Sequence, residues 1–159
     1  RFRFEREDIR KTVIPVLSFV GKMAEKSGIT IKSDLASALP PCLVDVRQLR
    51  QVFLNLLKNA MEAMPKGGTI TVRCGYRPGG ISANEGSVTV EVEDTGIGVP
   101  SRDLETIFKP FYSTKQKGMG LGLSLCKGII EKHGGSIRVE SQEGKGSRFI
   151  VEIPIDHAL

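Results

Sequence analysis

The sequence predicts an α+β fold, a two-layer sandwich in which one mixed β-sheet is covered on one face by three helices. Two observations carry this. Three segments repeat their apolar residues at helical spacing, and the alternating segments that read as strands come mainly in pairs, with helices between the pairs. The chain of 159 residues suits a single domain, 1–159, with a core of useful size. Residues 1–7 read as a short strand or linker from a segment that is absent.

Asp8 is placed to cap a first helix running to about Lys26, with Ile9, Val13, Val16, Leu17, Val20 and Met23 on one face. Pro15 lies within that pattern, so a kink or a later start is expected. "ITIKSDL" alternates as a strand. Asp45 followed three residues later by Gln48 has the form of a capping box. It opens a second helix to about Met64, whose buried face is Leu49, Val52, Phe53, Leu56, Leu57, Ala60 and Met64. "TITVRCGY" and "SVTVEVED" flank a glycine-rich turn and read as an antiparallel hairpin. Residues from Thr95 to about Gly118 are irregular, a length of connection that usually serves a function, as a lid does. A third helix spans about Leu121 to His133, closed by Gly134 and Gly135, and "SIRVES" and "SRFIVEI" form a last hairpin.

Composition excludes several classes of function. No apolar run approaches a membrane span and no signal peptide opens the chain. The net charge of +5 would suit an anionic partner, but the basic residues are scattered and aromatics are only 6%, so there is no platform for stacking nucleic acid bases. Cys42, Cys74 and Cys126 are too far apart for a metal or redox motif and read as reduced core cysteines of a cytoplasmic protein.

Three motifs point to chemistry. Asn55 and Asn59 share one face of the second helix, where asparagine has low propensity. They read either as a wet helix face or as neutral oxygen donors for a hard cation such as magnesium. In "EDTGIGVP", Asp94 ends a strand, with Gly96 and Gly98 following. This is either a tight turn or a carboxylate that reads a base while the glycines permit close approach. "GMGLGL" places Gly118, Gly120 and Gly122, with Leu121 and Leu123 between and after them, directly before an apolar helix. Backbone amides at such a helix start make an anion site. Leu123 stands where a Walker-type loop requires lysine, and the spacing is not that of a dinucleotide fingerprint.

The ordered string "QVFLNLLKNAMEAM … DTGIG … FKPFYSTK … GMGLGLSL … HGGSIRVES … GKGSRFIVEIP" resembles the catalytic, ATP-binding domain of sensor histidine kinases, nearest the nitrogen-regulatory type. The resemblance runs from Asp8 to Pro154 and implies the Bergerat sandwich. It implies that Asn59 binds magnesium directly, that Asn55 supports metal and phosphates, and that Asp94 accepts the adenine amino group in a pocket shaped by Gly96 and Gly98. Phe108 and Phe111 would anchor the lid, and Gly118, Gly120 and Gly122 would cradle the phosphates. Ser147 stands where the family often has threonine and keeps a hydroxyl near the adenine. Lys115, Lys117 and Lys58 could each neutralise phosphate charge; Lys117 and Lys58 read equally as solvated surface lysines, whereas Lys115 is better placed, within the phenylalanine box. At Glu62 many relatives carry a basic residue, a role that a carboxylate does not fill.

The implied activity is transfer of the γ-phosphoryl group of Mg-ATP to a histidine, then onward to a response regulator receiver domain. The histidines present are His133 and His157, and neither has the surroundings of a phospho-acceptor. His133 reads as a capping or packing residue at a helix end. The acceptor is therefore expected on a preceding dimerisation segment of a homodimeric, cytoplasmic or membrane-anchored parent, with this domain monomeric by itself. The alternatives are an ATP-hydrolysing clamp like DNA gyrase, an anti-sigma-type serine kinase, and a nucleotide-binding module without chemistry. The clamps carry a glutamate where this chain has Asn55, and an amide is no general base.

Overall fold

The computed structural model describes residues 1–110 and 122–156. In chain order its elements are β1 (Glu5–Glu7), α1 (Arg10–Lys26), β2 (Ile29–Leu35), β3 (Cys42–Val44), α2 (Val46–Glu62), β4 (Gly68–Arg77), β5 (Ser87–Asp94), α3 (Gly122–Lys132), β6 (Ser136–Gln142) and β7 (Gly146–Pro154). Five strands form one mixed sheet in the order β2-β4-β5-β7-β6. β2 runs parallel to β4, and the other neighbours are antiparallel.

Period-two alternation explains why the helices cover one face. Ile70, Val72 and Cys74 on β4, Val88, Val90 and Val92 on β5, and Phe149, Val151 and Ile153 on β7 are all buried in the core with the inner faces of α1 and α2. Residues between them carry charge to the opposite face. There Arg73 bonds Glu93 at 2.6 Å, Arg148 approaches Glu91 at 3.4 Å and Arg77 meets Glu152 at 3.1 Å. These pairs are half exposed and stabilise little, but they keep that face wet.

The apolar period of α2 appears as expected, with Leu49, Val52, Phe53, Leu56, Leu57, Ala60 and Met64 all buried. On α1 the buried row is Val13, Val16, Val20 and Ala24, while Met23 is 38% exposed. Ala24, four residues after Val20, continues the row and displaces Met23 from its expected place. The helix starts no later than Arg10 and runs on through Pro15, which is exposed, so water can reach the Lys11 carbonyl that the proline leaves without a helical donor. Ile9 is the N-cap residue, but Asp8 still serves the helix start, since its Oδ1 accepts from the Arg10 amide at 3.0 Å. Hydrogen bonding from the Arg10 guanidinium holds the Asp8 carboxyl below its ordinary range.

The strand expected as one reading of residues 1–7 forms as β1, but the second, two-stranded sheet that it makes with β3 was not expected. β1 pairs antiparallel with β3, Glu5 opposite Val44 and Glu7 opposite Cys42. Around it the capping box at Asp45 forms only by half. Asp45 Oδ1 accepts from the Gln48 amide at 3.0 Å, and Oδ2 accepts from the Arg3 amide at 2.7 Å. The Asp45 amide, which Gln48 was expected to serve, donates instead to His133 Nε2 at 3.0 Å. His133 is fully buried, and its Nδ1 lies 2.8 Å from the Ile129 carbonyl. With Nε2 accepting, Nδ1 carries the proton. The rings of Phe2 and Phe4 stand edge-on to the imidazole, centroids 5.9 and 5.1 Å away. His133 is the packing and capping residue expected of it.

Candidate functional site

β5 ends at Asp94, which is 4% exposed and accepts from the Gly96 amide at 2.8 Å through Oδ1. The loop that follows is clamped from two sides. The Ile97 amide donates to the Ala63 carbonyl at the end of α2, 3.0 Å, satisfying one of the acceptors that a helix end leaves over. A Cβ on Gly96 would sit 2.3 Å from that same oxygen. On the other side the Gly144 amide donates to the Ile97 carbonyl at 2.7 Å, and a Cβ on Gly98, whose φ is +72°, would lie 2.2 Å from the Gln142 carbonyl. The two glycines were expected to admit a ligand. Their close approach is to the chain's own backbone, α2 for Gly96 and the β6–β7 turn for Gly98, and this fixes where Asp94 points.

Beside Asp94 lies a cavity of about 250 Å³. Of the expected residues it brings together Asn59, Asp94, Gly98, Leu123 and Ser147. Leu123 reaches it from the first turn of α3, Asn59 from α2, and Ser147 from β7, directly opposite Asp94 in the ladder. The other expected residues stand back. Gly96 is behind the loop. Gly122 is exposed at the start of α3 and Lys58 is exposed on α2, neither on the cavity wall. Phe108 is half-buried and packs edge-on against Phe149, centroids 6.1 Å apart, so it supports the wall through a neighbour that lines it. Asn55 is also off the wall. Its Oδ1 lies 3.4 Å from Gln51 Nε2. Phe111, Lys115, Lys117, Gly118, Gly120, Leu121 and His157 lie outside the described residues.

Sequence reasoning missed the apolar walls. Ile97, Val99, Ile107 and Phe149 line the cavity, Ile107 only 2% exposed. The signal was there, as aliphatic residues in a segment otherwise irregular. Ser141 was also missed. It faces Ser147 across the last hairpin, their hydroxyl oxygens 2.8 Å apart.

The donor set fits magnesium only in company. Among the described residues no group of three or more His, Cys, Asp or Glu could hold a metal ion. Asn59 supplies one amide, so a cation there would complete its shell with phosphate oxygens and water, which is how magnesium commonly binds.

A buried carboxylate at a strand end, a paired hydroxyl opposite it, an asparagine from a long helix and an apolar wall thus share one pocket. Residues 44–157 match the family model described as histidine kinase-, DNA gyrase B- and HSP90-like ATPase. The chain belongs to that family, as a catalytic domain of the histidine kinase type. It is 36% identical over 152 residues to sporulation kinase E of Bacillus subtilis (strain 168), covering 96% of this chain and 20% of that protein. Among solved structures, the catalytic domain of histidine kinase ThkA superposes with a TM-score of 0.84 at 32% identity, covering 97% of each chain. ThkA also occurs in a complex with the response regulator protein TrrA, TM-score 0.78 at 29% identity, covering 96% of this chain and 42% of that one. Full-length ShkA in complex with AMPPNP matches with a TM-score of 0.83 at 28% identity, covering 99% of this chain and 32% of that one. The histidine kinase domain described here thus shares its three helices on a mixed five-stranded sheet with these catalytic domains.

Proposed function

We propose that this domain binds ATP with magnesium and presents the γ-phosphoryl group to a histidine on a dimerisation segment of its parent protein, from which a response regulator receives it. The observation that carries the reading is the single cavity joining Asp94, Ser147, Asn59 and Leu123. Likeness to ShkA with AMPPNP and to ThkA with TrrA supports the nucleotide and the regulator.

The residues divide the work. Asp94, buried and held by the Gly96 amide, accepts from the base's amino group. Ile97, Val99, Ile107 and Phe149 flank the base and exclude water, which strengthens that hydrogen bond. Asn59 and the first turn of α3 mark the phosphate end, where helix-terminal amides favour negative charge. Magnesium, held by Asn59 and phosphate oxygens, would neutralise charge on the transferring group. In the transfer a histidine ring nitrogen forms a P–N bond as the β–γ bridging bond breaks, and ADP leaves with the electron pair.

Hydrolysis is disfavoured by Asn55. It is neutral, it lies off the cavity wall, and its Oδ1 faces Gln51, so it cannot activate water. Use of ATP and three free, buried cysteines support a cytoplasmic location for the domain.

The test is incubation with γ-labelled ATP, with and without the parent's dimerisation segment. Acid-labile, base-stable label on that segment, reduced in Asn59→Ala, is expected. Rapid phosphate release by the domain alone would instead indicate the clamp ATPase, and an acid-stable product a serine kinase.

A further inference from the structure

The outward face of α1 carries two adjacent rows of side chains, each stepping by every fourth residue. One row is Pro15, Phe19 and Met23, apolar throughout. The other is Ile14, Ser18, Lys22 and Lys26, apolar at its start and basic at its end. Every residue of both rows is exposed, Phe19 by 64% and Ile14 by 49%. Apolar side chains scattered singly over a surface are ordinary, but a continuous ridge of them marks a place where something docks. The core does not account for the ridge, because α1 fills the core from its other side with Val13, Val16, Val20 and Ala24. Charge is distributed just as unevenly. On the open face of the sheet the arginines are neutralised by neighbours, Arg73 by Glu93, Arg77 and Arg138 by Glu152, and Arg148 by Glu91. Lys22 and Lys26 pair with no carboxylate among the described residues. Glu25 is the only acidic residue of α1, against Arg10, Lys11, Lys22 and Lys26.

We infer that the outward face of α1 docks an amphipathic helix of a partner protein, one that carries acidic residues beside its apolar seam. A second copy of this domain does not fit. Whether two α1 helices crossed parallel or antiparallel, basic ends would meet basic ends and repel. A bilayer fits poorly as well. A helix lying on a membrane gives lipid its broad apolar face, and α1 has given that face to the core. A single apolar row has the width of the groove between side-chain rows of another helix, where ridges of this spacing pack. Acidic side chains next to that groove would pair with Lys22 and Lys26. α1 contributes no residue to the wall of the cavity beside Asp94, so a helix docked there leaves the nucleotide site open.

The probe is a labelled peptide of about 20 residues, long enough to fold as a helix, with leucines along one seam and glutamates beside them. A second peptide has lysines in place of the glutamates. Fluorescence anisotropy should show the domain binding the glutamate peptide in preference to the lysine peptide. Phe19→Ser combined with Met23→Ser should weaken that binding about tenfold, the scale on which an interface loses affinity when an aromatic anchor is truncated. Lys22→Glu combined with Lys26→Glu should reverse the preference between the peptides. That swap leaves the apolar ridge intact, so it tests the charge match even if the serine variant folds poorly. Ile81→Ser removes a fully exposed isoleucine between β4 and β5 and should change nothing. Equal binding of both peptides, no binding of the glutamate peptide, or a loss in Ile81→Ser as large as in the Phe19 and Met23 variant would overturn the inference. So would vesicles of phosphatidylserine and phosphatidylcholine that retain the native domain through Phe19 while the glutamate peptide goes unbound, since the face would then belong to a membrane.

Discussion

Cys42, Cys74 and Cys126 are buried, free thiols scattered through the core. Burial disfavours the thiolate, pushing Cys42 up to about 11 and Cys74 and Cys126 up to about 12, from an ordinary 9.0. For Cys126 a hydrogen bond from Asn55 opposes this only in part. An unfolded chain would release these protons near pH 9, whereas the folded chain keeps them to pH 11 or beyond. A proton retained only in the folded state stabilises it below pH 9, and that contribution is lost as pH rises towards the folded values. The urea midpoint should therefore fall from pH 8 to pH 10, and Ellman's reagent at pH 8 should label the three thiols only after unfolding. Fast labelling of the native protein would show that they are accessible, against their burial.

At the scale of elements, Asp45 is the joint between three of them. One carboxylate oxygen caps α2, the other holds the Arg3 amide just before β1, and its own amide reaches His133 just past the end of α3. Asp45→Ala removes the cap and should cost about 1–2 kcal/mol. His133→Phe keeps the ring against Phe2 and Phe4 but leaves the buried Asp45 amide unpaired, at about 1–3 kcal/mol. Because the two changes break one network, urea unfolding of the double variant should show less than the sum of the singles. Strict additivity would mean that the elements dock independently.

Across the whole molecule, the pocket draws on α2, β5, β7, α3 and the loop after β5, so a ligand there ties both layers together. Binding to the folded state alone stabilises by mass action, about 2.7 kcal/mol at a hundredfold excess over the dissociation constant. The melting temperature should rise with ATP and rise further when magnesium is added. In Asn59→Ala the increment due to magnesium should vanish while that due to ATP alone remains. An undiminished magnesium increment in that variant would place the cation elsewhere.

Much of this protein was legible because its signals are local. The buried face of α2 follows from a 3.6-residue period sustained over seventeen residues, and the paired strands follow from strict alternation beside glycine-rich turns. Asn59, Asp94 and Ser147 stood out because their residue types sit in short spaced motifs. What local pattern could not show was who meets whom across the chain. The β1–β3 pairing joins three-residue strands far apart in sequence, too short to display a period. The capping box at Asp45 had the right local form, yet a histidine 88 residues away took half of it. Gly96 and Gly98 were marked as special, but only the docking of their loop between α2 and the β6–β7 turn shows that their own backbone is what they make room for. The meeting of the Ser141 and Ser147 hydroxyls was likewise decided only in three dimensions, by the register of the last hairpin.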